Sequence, residues 1–213
     1  MPPRNVFINC PYDEKYRPNM HLIIYMVCKF DHNPLLAGLY SDVDDRMTKI
    51  VNLIKDSEIG IHDISLMEFD GENKLARFNM PFELGIDYAH KKFINQKNKL
   101  LILEKDPYLS KKSLSDLSGS DIVAHKNNPE EIIKSIRNFF VGLFNLKDIK
   151  YQAAIMYEYQ TLFESWHMEK LNRLGFPEKY ISMDISISEF VNNVKDFFKS
   201  NSDLLVKTDN TSS

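Results

Sequence analysis

Apolar and polar positions recur along this chain in two periods, and the switches between them mark out its elements. A short apolar run at residues 6–10, closed by Pro11, Tyr12 and Asp13, predicts a first strand. From residue 16 to 30 the apolar Met20, Ile23, Ile24, Val27 and Phe30 fall at helical spacing. Residues 34–40 predict a second strand. The turn at 42–45, rich in aspartate, caps a helix over 46–57 with Met47, Ile50, Val51 and Ile54 facing inward. Residues 59–64 predict a third strand, followed by a polar, glycine-containing loop at 66–78. That loop is longer than most strand-to-helix connections, and such loops often carry function. A helix capped by Asn79 or Met80 then runs to about residue 92. Residues 99–103 and 121–125 predict two more strands. Asn128 and Pro129 open a helix with Ile132, Ile133, Ile136, Phe139 and Phe140 inward.

Strands alternating with helices predict an α/β domain built on a doubly wound, mostly parallel five-stranded sheet. The apolar character of the strands agrees, because both faces of such a sheet are covered. From about residue 150 the pattern changes. Residues 151–174 predict one long helix, apolar at Ile155, Tyr159, Leu162, Phe163 and Trp166. Ser186 and Glu189 form a capping box that opens a second helix, with Phe190, Val191, Val194, Phe197 and Phe198 inward. The expected organisation is a sheet domain at 1–148, a helical extension at 149–200 and a frayed polar tail at 201–213. The extension packs either on the sheet domain or against a second copy or partner protein.

Composition narrows the function classes. With 43% apolar and 27% charged residues, the chain has the make-up of a soluble globular protein. A net charge of -3 and the lack of a basic stripe with interleaved aromatics place nucleic-acid binding last among the possibilities. No apolar run reaches the length of a membrane span. Met1 leads directly into the first strand, so no signal peptide is expected. The two cysteines, Cys10 and Cys28, form no disulfide framework and point to a reducing cytoplasm. The usual glycine-rich phosphate-binding motifs are missing, and no His/Cys spacing suggests zinc.

The candidate chemistry gathers where predicted strands end. Glu83 falls in the first turn of its predicted helix, where the macrodipole favours an ionised carboxylate, although acids are common there for that reason alone. An ionised carboxylate beside a sugar can stabilise an oxocarbenium ion or attack the anomeric carbon. Asp87 and His90 share its helix face. Asp63 ends the third strand, well placed either to hold a ribose hydroxyl or to cap the loop. His62 points to the opposite face, into a helix–sheet contact. Asn9, Tyr12 and Asp13 bracket the end of the first strand, as substrate ligands or as turn residues around Pro11. Arg77 and Asn79, just ahead of the Glu83 helix, suit a phosphate anchor, and Arg46 could serve from the preceding helix start. Cys10 reads as a buried strand-end thiol. Asp42, Asp44 and Asp45 read as a turn and helix cap.

Together, Phe82-Glu83-Leu84-Gly85-Ile86-Asp87-Tyr88-Ala89, a strand ending in Asp63 and a first strand followed by Tyr12 resemble the nucleoside 2-deoxyribosyltransferase-like group and the bacterial TIR-like proteins that share its flavodoxin-like sheet. The resemblance covers residues 5–145. It implies that Glu83 is the catalytic glutamate acting at an N-glycosidic carbon, that Tyr12 positions it, and that Asp63 helps hold the base or ribose. It implies no metal or cofactor, with NAD a substrate, and in bacteria a role in NAD-depleting antiviral defence. Three features depart from the pattern: the long loop at 66–78, the missing self-association loop after the second strand, and the lack of a recognisable counterpart to the asparagine that deoxyribosyltransferases borrow from a neighbouring subunit. The same residues also suit a nucleoside or nucleotide deoxyribosyltransferase or hydrolase. A non-catalytic nucleotide-sensing or scaffold module that signals through the helical extension is the remaining reading.

Overall fold

The computed structural model describes residues 3–39, 45–65, 78–117, 121–175 and 185–208. Five strands, β1 (Asn5–Asn9), β2 (Asn33–Leu35), β3 (Ile59–Asp63), β4 (Lys99–Glu104) and β5 (Ile122–Ala124), form one parallel sheet in the order β2-β1-β3-β4-β5. Helices α1 (Arg17–Lys29), α2 (Arg46–Lys55), α3 (Asn79–Phe93) and α4 (Pro129–Phe144) cover its two faces. This is the doubly wound, flavodoxin-like architecture, with the strand order reversing between β1 and β3. Their register, from Val6 opposite Ile59 to Asn9 opposite His62, brings both carboxyl ends to one edge.

Alternation along the strands sorts the core into layers. Val6, Ile8, Ile59, Ile61, Leu101 and Leu103 join the side of α1 and α4. Phe7 instead meets Ile50, Leu53 and Ile54 of α2, while Ile64 and Ile102 meet Met80 and Leu84 of α3. Parity therefore assigns Asp63 to the α1 side and His62 to the α3 side.

Every residue of α1 from Met20 to Lys29 is buried. A helix apolar all round needs cover on all sides, and the helical extension supplies it. The extension comprises α5 (Gln152–Tyr157), a π-helical stretch (Glu158–Phe163), α6 (Glu164–Arg173) and α7 (Ile187–Ser200). Its Ile155, Tyr159, Phe163, Phe190, Val194 and Phe197 belong to the same apolar cluster as Val6 and Ile8. Around the Tyr25 ring of α1, those of Tyr159, Phe163 and Phe198 lie 4.9, 5.3 and 5.1 Å away. The extension packs in cis.

The stretch 151–174 is not one uninterrupted α-helix. Its buried stripe, Ile155, Tyr159, Phe163, His167 and Leu171, has a spacing of four residues. On a regular α-helix that stripe would rotate by about 40° at each step. The wider i→i+5 turns at Glu158–Phe163 keep it facing α1 and α7, and leave Leu162 41% exposed rather than inward. Glu158, which opens the π stretch, accepts from Lys29 Nζ at 2.6 Å and Lys150 Nζ at 2.5 Å. Lys29 Nζ also donates to the Leu204 carbonyl at 2.9 Å, and the Val206 N–H donates to the Lys29 carbonyl at 2.7 Å. Residues 201–208, expected to be frayed, are thus tied down, largely by backbone bonds that a polar sequence does not reveal.

Other expectations shift locally. β2 stops at Leu35, and Ala37–Leu39 form a 3-10 turn. Met47 and Val51 of α2 face outward, with Leu53 taking the inner place. The Ser186–Glu189 capping box and the Asn128 cap form as the sequence predicts.

Candidate functional site

Two buried carboxyl groups stand at the carboxyl edge of the sheet. Asp63, the last residue of β3, is fully buried. Its Oδ1 accepts the Ser65 backbone N–H at 2.9 Å. Its Oδ2 accepts the Tyr16 hydroxyl and lies 3.0 Å from His125 Nε2. The Asn127 N–H donates to His125 Nδ1 at 3.1 Å, so that nitrogen carries no proton and the Nε2 proton is aimed at Asp63. Burial alone pushes the Asp63 carboxyl up. The hydrogen bond and attraction from His125, with bonds from Ser65 and Tyr16, outweigh it and hold the group below the usual carboxylate range.

Ser65 Oγ lies 3.1 Å from the same His125 Nε2. A nucleophilic triad requires its serine and aspartate on opposite ring nitrogens. Sharing one, these residues form a clamp joining the ends of β3 and β5 to the start of α1. Asp63, expected to hold a ribose or base, has both oxygens engaged inside the protein. Strand parity turns it toward α1.

A second buried chain runs on the other face. The Asn9 amide donates to the Met80 carbonyl at 2.8 Å and lies 3.1 Å from His62 Nδ1. With Nδ1 accepting, His62 Nε2–H donates to Asp87 Oδ2 at 2.9 Å. Gly60 makes room for this. A Cβ there would stand 2.3 Å from Asp87 Oδ2 and 2.8 Å from His62 Nε2. Asn9 and Asp87, expected to bind substrate, lie in this network, which joins α3 to β1 and β3. His62 makes the helix–sheet contact the sequence assigned to it.

What remains is Glu83 with its neighbours. Phe78 caps α3, and Pro81 occupies its third position, where a backbone N–H would have no helical acceptor. The Phe82 N–H to Phe78 carbonyl bond, at 2.9 Å, closes the first turn. Glu83 therefore sits in the second turn rather than the first, beyond the strongest field of the macrodipole. The expected dipole-stabilised anion is corrected. With only 5% of the residue exposed, burial pushes its carboxyl up, and attraction to Arg46 and His62 offsets this only in part.

Arg46 opens α2 and reaches in from solvent, its Nη2 3.7 Å from Glu83 Oε1. Asp45 fixes that helix start by accepting the Met47 and Thr48 N–H groups at 2.9 and 3.1 Å. The Tyr12 phenol, in a backbone hydrogen bond with Gly38, is pushed up by burial and by the nearby Cys10 and Glu83. Cys10 is buried and free, as expected. Burial and the charges of Asp63 and Glu83 keep it a thiol. Chemically, the cluster offers a desolvated carboxyl group with incomplete positive compensation, suited to hold a proton or to receive a cation.

Asp13 serves the turn, its carbonyl accepting the Tyr16 and Arg17 N–H groups at 3.0 and 2.9 Å. Asn79 is exposed at the first position of α3. Arg77, Asp42, Asp44 and the loop at 66–77 lie outside the described residues. The structure thus brings Glu83, Arg46 and Tyr12 near one another, while Asp63 lies in one buried network and Asn9 and Asp87 in another. Tyr16, Ser65 and His125 escaped the sequence reading. The one available signal was that His125, like Asp63, directly follows an apolar strand.

Among the described residues no helix is long and apolar enough to cross a membrane, and no group of three or more His, Cys, Asp or Glu side chains could hold a metal ion. No protein-family model matches the chain, and no curated protein matches it in sequence.

Proposed function

We propose that this chain cleaves the N-glycosidic bond of NAD or a related nucleotide, with Glu83 as the carboxylate that meets the developing sugar cation. The observation that carries this reading is Glu83 itself, a buried carboxyl at the β1/β3 switch point with its proton affinity raised. Ligands of open parallel sheets bind at that edge. The resemblance of the 82–89 segment to TIR-like and deoxyribosyltransferase-like proteins points the same way.

Charge balance supports NAD in particular. Among the described residues, the desolvated Glu83 carboxylate meets one arginine nitrogen at 3.7 Å, and the burial that pushes its carboxyl up is offset only in part. The pyridinium of NAD supplies further positive charge, so substrate binding favours the ionised form that the chemistry needs. When the C1′–N bond breaks, its electron pair leaves with the pyridine nitrogen and neutral nicotinamide departs without protonation. Glu83 stabilises the remaining oxocarbenium ion. Water then adds to C1′, and its proton passes to Glu83 or solvent. Arg46 holds Glu83 and faces ribose or phosphate oxygens, and Tyr12 packs beside it. Asp63 and Asp87 act as positioning residues through the two buried networks. Because the core stripe of the extension is used in cis, association with a second copy or partner falls to its exposed Tyr157 and Leu162.

The test is incubation of purified protein with NAD, following nicotinamide release, with Glu83→Gln alongside. Wild type is expected to release nicotinamide. The variant should be slower by about 10³-fold while still binding NAD, because only the charge is lost. Equal release by both removes Glu83 from the mechanism. Incorporation of labelled adenine into a deoxynucleoside would instead assign the same carboxylate to base exchange.

A further inference from the structure

The β1–β2, β2–β3 and β3–β4 crossovers each contain an α-helix. Among the described residues the β4-to-β5 connection has only the short 3-10 turns Ser110–Lys112 and Ser115–Leu117. Leu114 and Leu117 pack it down onto Ile102 and Ile122. A cavity of about 330 Å³ remains between the connection and β5, lined by Glu104, Tyr108, Ser110, Lys111, Asp121 and Val123 among others.

Three observations on this cavity converge. Ser110 is 1% exposed, and its hydroxyl has no hydrogen-bond partner among the described residues. Leaving a buried polar group unpaired is costly, so such a group asks for an explanation. Tyr108 holds a left-handed backbone, φ 64°, which is rare for an aromatic residue, and its ring is 66% exposed. The buried Glu104 carboxylate enforces that bend by accepting the Tyr108 and Ser110 N–H groups, each at 2.9 Å. Lys111 Nζ stands 4.6 Å from the centre of the Tyr108 ring.

We infer that this cavity, where the Tyr108 ring, the unpaired Ser110 hydroxyl and the Glu104 and Asp121 carboxylates meet, is a binding subsite for an adenine base. The ring gives a flat heteroaromatic a face to stack on. The hydroxyl can donate to a ring nitrogen, and the carboxylates keep free lone pairs for an exocyclic amine. Lys111 at the rim meets a phosphate. The site lies at the same sheet edge as Glu83, three strand steps from β1 or about 14 Å across. Two nucleosides joined by a pyrophosphate can span such a distance. The subsite therefore rests on the proposed function only for the identity of the ligand's other half.

The probe is AMP, titrated calorimetrically into the full chain. Wild type is expected to bind it. Ser110→Ala should weaken binding about tenfold, the worth of one good hydrogen bond, without lowering the melting temperature, since the hydroxyl bonds nothing among the described residues. Tyr108→Ala should weaken it at least as much, Tyr108→Phe hardly, and Glu83→Gln hardly. No AMP binding by wild type, or binding indifferent to both Ser110→Ala and Tyr108→Ala, overturns the subsite. AMP binding lost in Ser110→Ala alongside a failure of nicotinamide release keeps the subsite and removes the proposed reaction. Nicotinamide release with AMP binding indifferent to Ser110 does the reverse.

Discussion

Asp63 and Glu83 are buried carboxyl groups at one edge of one sheet, yet their proton affinities are pushed in opposite directions. Burial acts on both in the same sense. The difference lies in partners. Asp63 receives bonds from Ser65, Tyr16 and His125. Among the described residues, Glu83 has one exposed arginine at 3.7 Å. Position in the fold explains the contrast, since Asp63 lies between a strand end and α1, whereas Glu83 lies on α3 beside the start of α2. A carboxylate saturated with donors holds structure, and one left under-compensated is poised to act.

The largest expected effect separates the two by stability. Asp63→Asn sets an amide against the donors of the clamp and should cost about 3–5 kcal/mol in urea unfolding, as other broken buried charge networks do. Glu83→Gln should stay within about 1 kcal/mol of wild type or exceed it, because it removes a desolvated carboxyl. Equal losses would erase the distinction.

The pH dependence sharpens it. His21, His32 and His167 are pushed down, to about 3, 4 and 4, first by burial and then by neighbouring cations, Arg17 and His167 at His21, Arg4 at His32 and Lys170 at His167. The unfolded chain binds these protons from about pH 6.5 downward, while the folded chain resists until about 4. Stability is thus lost as pH falls across that window, at about 1.4 kcal/mol per pH unit for each histidine. His167→Phe, which keeps an aromatic ring parallel to Phe163, should shrink that slope by one histidine's share. Asp63 adds a loss in the same direction at lower pH, as the medium falls through its depressed value. Glu83 has the opposite sign. Its folded value is raised, so its contribution falls as pH rises from the ordinary glutamate range through that raised value, and Glu83→Gln should abolish this component.

A smaller effect is expected from Gly60→Ala. The new methyl collides with Asp87 and His62, costing about 1–3 kcal/mol. Because that pair fixes α3, the rate of nicotinamide release should fall further than the melting temperature suggests. The smallest effect on stability belongs to Arg46→Gln, within about 0.5 kcal/mol for an exposed side chain. Its signature is kinetic. Glu83 loses its lowering partner, so the acid limb of activity should move to higher pH.

Much of this was legible in the pattern of apolar positions. The five parallel strands, the helices on both faces and the capping of α4 and α7 follow from periodicity and local cap chemistry. The cis packing of the extension was left open by the sequence, and the burial of α1 from Met20 to Lys29 beneath it settles the choice. The site was less legible, for two physical reasons. Parity separates Asp63 from Glu83, so two acids at one sheet edge serve different layers. The decisive partners, Tyr16 and His125, come from distant parts of the chain, and only folding joins them. The helix starts at Phe78, which puts Glu83 in the second turn, and burial rather than the macrodipole sets the direction of its shift.

The most direct test is the pH profile of nicotinamide release from NAD by wild type and Glu83→Gln. Release by wild type should rise to a plateau as Glu83 ionises above its raised value, with the variant inactive throughout. A variant that retains the profile, or a wild-type protein silent at every pH, would contradict the assignment of Glu83 as the reacting carboxylate.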